Sequence, residues 1–79
     1  MLTMDYIYAD NLTPDQVMAG DFIEFGDSDE SEIGEVITVH EFEIGEKEYS
    51  YLITGRNEFH EPLEMIVFDG TLVKLFVFK

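Results

Sequence analysis

The side chains most able to do chemistry here are carboxylates. Glu24, Asp27, Asp29, Glu30, Glu32 and Glu35 fill one polar loop and its flanks, and Glu41, Glu43 and Glu46 follow within eleven residues. In an extended strand, acids at i and i+2 share a face about 6.6–6.8 Å apart. Each nucleic-acid strand carries one charge per ~3.4 Å of axis, so such a row imitates its linear field at about half density. A groove built to hold nucleic acid attracts such a surface. The chemistry it offers is charge-assisted hydrogen bonding to Arg and Lys, and these nine acids are the expected partner-binding residues.

Covalent and metal chemistry find less support. The chain has no cysteine, so no thiolate nucleophile and no thiolate zinc site. Ser28, Ser31 and Ser50 all lie outside a Gly-x-Ser-x-Gly context, and there is neither a phosphate-cradling glycine loop nor a His-Glu-x-x-His. Asp27, Asp29 and Ser31 take the first three odd positions of a calcium loop. The pattern then fails, with Glu32 where glycine is needed and Thr38 where the bidentate glutamate belongs. His40 and His60 stand beside Glu41 and Glu61, but neighbours in a strand point to opposite faces. The expectation is a protein that is not an enzyme, with no catalytic residues, no cofactor and no metal site.

Charge placement points the same way. Residues 1–46 hold thirteen acids and no Lys or Arg, whereas residues 47–79 hold five acids and all four bases, so the net charge of −14 divides as −13 and −1. A field of this sign repels phosphate, which argues against direct nucleic-acid binding and anionic membranes and favours a basic protein surface. The alternative is that the acids serve only solubility.

The elements that must position these groups are strands. At 79 residues the chain supports one domain, and with 46% hydrophobic residues, seven Phe and four Tyr it is too apolar for an acidic disordered segment. Leu2 to Tyr8 alternates as a first strand that Asn11 ends. Thr13-Pro14-Asp15-Gln16 followed by Gly20 carries the cap, N1 proline, capping-box glutamine and glycine stop of a short helix, with Leu12 and Val17 at the staple positions. Strands follow at Phe22–Phe25, Ile33–Phe42, Tyr49–Thr54, Leu63–Phe68 and Leu72–Phe78. Ile44-Gly45-Glu46-Lys47 reads as a hairpin turn, and Asp69-Gly70 as a two-residue hairpin joining the last two strands. The expected domain spans 1–79, with residues 1–20 as a strand and short helix packed on a barrel of residues 21–79.

Ala19-Gly20-Asp21-Phe22-Ile23, followed after a polar loop by Ile33-Gly34-Glu35-Val36-Ile37, resembles the SH3-like small β-barrel class over roughly residues 19–78. The resemblance implies a five- to six-stranded barrel; a strongly bent antiparallel sheet is the other architecture the strands allow, because a tight Asp69-Gly70 hairpin competes with the barrel's 3₁₀ turn. Such barrels serve many functions, so the fold alone does not select one. In size and composition the chain is also similar to small acidic proteins that mimic DNA, many from bacteriophages.

Val36, Ile37 and Val39, then Ile66, Val67 and Phe68, then Phe76, Val77 and Phe78 place apolar groups on both faces of their strands. Most of this surplus is expected to pack under the N-terminal segment, with a monomer and a homodimer both open. The sequence thus predicts a cytoplasmic acidic module that engages a basic protein surface in the form of a nucleic-acid-mimic inhibitor. A structural or assembly module using apolar strand faces is the alternative.

Overall fold

The computed structural model describes residues 6–26, 31–46 and 48–78, and Asp27, Asp29 and Glu30 lie outside them. The chain is mostly β, with six strands in one antiparallel sheet: β1 (Tyr6–Leu12), β2 (Phe22–Phe25), β3 (Glu32–Glu43), β4 (Tyr49–Arg56), β5 (Pro62–Phe68) and β6 (Val73–Phe78). Their spatial order is β1-β6-β2-β3-β4-β5. Five of the expected strands appear within two residues of their predicted bounds, while β1 runs past Asn11 to Leu12.

The sheet does not close into a barrel. β1 and β5 are its two edges, with no hydrogen-bonded pairing between them. Yet Ile23 and Ile53 have no exposure and Val36 only 1%. A single sheet buries side chains this completely only by folding over on itself, and β2 and β5 are indeed in contact although they are not sheet neighbours. Val17, Phe25, Tyr51 and Val73 complete the core, with Leu12, Val39, Leu63, Met65, Val67 and Leu75 packed against it.

One turn reading requires correction. Asp69-Gly70 does not join a hairpin, since β5 pairs only with β4, and β6 pairs with β2 and β1. The turn itself forms, with Thr71 N–H donating to Phe68 O at 3.0 Å. However, only Gly70 has a positive φ, of 90°. The tight type I′ hairpin needs positive φ at both central residues. With Asp69 outside that region, the turn sends the chain away from β5 and across to β2.

The expected N-terminal helix is reduced to one 3₁₀ turn, Pro14–Gln16. Its start follows the predicted signals: Gln16 N–H donates to Thr13 O at 2.9 Å, and Thr13 N–H donates to Gln16 Oε1 at 3.1 Å. Val17 is then extended (φ −73°, ψ 133°), and its side chain is part of the core. The next residues bond elsewhere. Gly20 N–H donates to Val36 O at 2.9 Å and Val36 N–H to Asp21 O at 2.8 Å, tying this segment to β3. The local helix signals thus lose to tertiary pairing.

The bonds to Val36 fall where β3 changes register, between Val36 and Thr38. Gly34 and Gly55 allow the backbones to approach there. A Cβ on Gly55 would lie 2.7 Å from Phe25 Cζ and closer still to the Glu35 carbonyl oxygen. No helix among the described residues is long and apolar enough to cross a membrane.

Candidate functional site

Residues opposite one another in a ladder share a face of the sheet. One such row crosses five strands on the side away from Ile23: Tyr8 (β1), Phe76 (β6), Phe22 (β2), Glu35 (β3) and Arg56 (β4). In the next row Tyr6 faces Phe78. Tyr6, Phe22 and Phe78 form a compact trio, with ring centroids 5.7 Å (Tyr6–Phe22), 5.1 Å (Tyr6–Phe78) and 4.5 Å (Phe22–Phe78) apart. Aromatic pairs at such spacing contribute ~0.5–1.5 kcal/mol each beyond area burial. Part of the apolar surplus therefore does pack against the N-terminal strand. The rest does not: Ile37, Ile66 and Phe68 remain exposed, and Val77 and Phe78 stay half-exposed although both pair with β1.

Carboxylates surround the trio. Glu35 lies 3.5 Å from the Arg56 guanidinium; with both side chains well exposed, this pair is worth no more than ~1 kcal/mol. Asn57 is the anchor of the region. Its residue is buried, and its Nδ2 donates to Glu32 Oε1 at 3.2 Å and to Glu61 Oε1 at 2.9 Å. Its Oδ1 accepts from the N–H groups of Phe59 at 2.9 Å and Glu61 at 3.0 Å. One amide side chain thus shapes the β4–β5 loop and fastens it to the start of β3.

The result is a cleft of about 420 Å³ between Tyr6, Phe59 and Ile33, with Glu24, Glu32 and Glu58 around it. A smaller one of about 170 Å³ adjoins it, sharing Tyr6 and Glu58 and reaching Phe22, Glu35 and Arg56. Burial, then the negative fields of Glu58 and Glu35, raises the Tyr6 pKa above the ordinary tyrosine value.

Of the nine acids singled out by sequence, the described part of the structure brings Glu24, Glu32 and Glu35 to this end of the sheet. Glu41, Glu43 and Glu46 lie towards the other end of β3 and the turn beyond it; Glu41 is about 20 Å along the strand from Glu35. The segment between them, Val36 to His40, carries no acid, so the row is two groups rather than one. Glu41 is also engaged internally. Tyr51 O–H donates to its Oε2 at 2.7 Å, and that bond, followed by burial, pushes the Tyr51 pKa up to about 12.

Sequence reasoning missed Tyr6, Phe22, Phe78, Asn57, Glu58 and Phe59. An asparagine opening a polar loop, with its side chain free to accept from the N–H two residues on, is the one local signal that pointed here. A second surface lies at the opposite end of the same sheet face, where Phe42, Ser50 and Phe68 are in register and His40 stacks on Phe42 at 6.5 Å. The Ser50 hydroxyl is buried there without a hydrogen-bond partner among the described residues.

Among the described residues no three His, Asp or Glu side chains converge as metal ligands. The chain matches no family model, no curated protein and no solved structure.

Proposed function

We propose that the protein is a non-enzymatic, cytoplasmic binding module whose acidic surface engages a basic protein, in the manner of a nucleic-acid mimic that occupies a nucleic-acid-binding groove. One observation carries the reading: Glu24, Glu32 and Glu58, drawn from three separate segments, line one aromatic cleft, and Glu35, which faces Arg56, lines the smaller cleft that adjoins it. These acids stand close together although others lie elsewhere on the sheet, and the field they produce attracts Arg and Lys while repelling phosphate. The SH3-like reading belongs to this proposal. The return of β6 beside β2 supports the strand order of that class, although the sheet stays open between β1 and β5.

The test is displacement. At low salt the protein should release duplex DNA from a basic, sequence-indifferent DNA-binding protein without binding the DNA itself, and the effect should weaken steeply as salt rises. Retention of the DNA under all conditions would count against mimicry. The exposure of Ile66 (60%) and Phe68 (66%) on edge strand β5 favours a second reading, an assembly module that uses this apolar face. Its complexes would be nearly indifferent to salt.

A further inference from the structure

We infer that the Tyr6–Phe59 cleft is an arginine pocket, taking the guanidinium of one arginine side chain presented by the basic partner. The inference rests on the binding reading above and specifies which part of a basic surface is recognised.

Three properties of the cleft select this group. Its walls are apolar and its rim anionic: Tyr6, Phe59 and Ile33 offer surface for an aliphatic stem and a planar head, and Glu24, Glu32 and Glu58 offer acceptors. A guanidinium stacks on aromatic faces and donates in a fixed fork to carboxylates; the lysine ammonium is a more strongly hydrated point charge. Second, the acids are spread around the cleft and, among the described residues, do not converge on a point. A divalent cation draws its oxygens to about 2.3–2.6 Å and is poorly served by this arrangement, whereas a planar group with five donors is well served. Third, the cleft, of about 420 Å³, is open to solvent and so accessible to a side chain presented by another protein.

The cleft is also held in shape before anything binds. Asn57 fixes the Phe59 backbone and positions Glu32, with Glu58 held between these points. Preformed walls reduce the ordering cost of binding. The Tyr6 pKa is raised first by burial and then by the negative charges of Glu58 and Glu35.

The experiment compares two short, otherwise identical peptides, one carrying three arginines and the other three lysines. Binding is followed through the aromatic NMR resonances of Tyr6 and Phe59. The arginine peptide should shift both sets and bind at least about fivefold more tightly, and the Tyr6 hydroxyl should titrate at lower pH when it is bound. Phe59→Ala, at a residue 71% exposed, should weaken the arginine peptide about tenfold and the lysine peptide little while leaving the fold intact. Tyr6→Leu provides the second probe.

Equal affinity for the two peptides, or no response at Tyr6 and Phe59, would overturn the pocket. If the lysine peptide still binds in a salt-dependent manner and Glu58→Lys abolishes it, the acidic-surface reading survives without the pocket. Failure of both peptides, together with failure of DNA displacement, removes both.

Discussion

Asn57 reaches from the β4–β5 loop to Glu32 at the start of β3, its amide nitrogen 3.2 Å from the carboxylate oxygen. This contact joins segments 25 residues apart and places loop acids beside strand acids. Asn57→Ala would remove both the donor to Glu32 and Glu61 and the acceptor of the Phe59 and Glu61 N–H groups. The expected cost is about 1–3 kcal/mol, with faster amide exchange at Phe59 and Glu61 and a lower melting temperature. Unchanged exchange at those two amides would show that the side chain does not hold the loop.

Tyr51 and Glu41 make a pH-dependent contribution. The folded Tyr51 pKa, about 12, lies above the ordinary value of 10.0. Between these values the folded state holds more protons than the unfolded one, so this stabilisation is fully present below pH 10 and is lost as pH rises towards 12. The melting temperature should fall over that window. Tyr51→Phe should flatten this part of the profile, because the other titrating groups are common to both proteins. Parallel profiles would refute the assignment.

Gly55→Ala should destabilise. The added methyl group meets Phe25 Cζ at 2.7 Å and the Glu35 carbonyl, backbone that cannot yield cheaply. Overpacking of this kind costs ~1–3 kcal/mol, which a chemical denaturation midpoint would register. A neutral outcome would mean that the β3–β4 approach is looser than described.

What the sequence revealed was local. The β-branched run Ile33–Phe42 and the turn signals between apolar runs located the strands, and the acid-rich loop located Glu24, Glu32 and Glu35. What it concealed was set by distant pairing. Nothing between Phe68 and Val73 says that β6 must leave β5 for β2, and the turn there, with positive φ at Gly70 and not at Asp69, differs from the type I′ hairpin that Asp-Gly suggested. Nor does any spacing connect Tyr6 to Phe78 or Asn57 to Glu32, partners separated by most of the chain or by a third of it. The helix signature at Thr13–Gly20 was real but outcompeted, because Gly20 and Asp21 bond to Val36.

Charge repulsion adds a test that needs no partner. With a net charge of −14 and four acids around the two adjoining clefts, moderate salt at neutral pH should raise the melting temperature by screening. Replacing Glu24 with Gln should reduce that salt dependence more than replacing Asp69, an acid in the turn outside the cleft. Equal effects of the two would place the repulsion elsewhere.

The central claim is that the acids around the Tyr6–Phe59 cleft recognise a basic protein, and the association rate tests it most directly. Wild type, Glu24→Lys/Glu58→Lys and Ile66→Ala/Phe68→Ala are compared for the rate at which they bind an immobilised basic DNA-binding domain across a range of ionic strength. Electrostatic steering raises on-rates by factors of about 10–1,000 and declines steeply with salt. The account predicts a steep decline for wild type and the apolar double variant, and a slow, nearly flat rate for the charge-reversed protein. A wild-type rate indifferent to salt, with binding retained after charge reversal and lost from the Ile66/Phe68 variant, would contradict it.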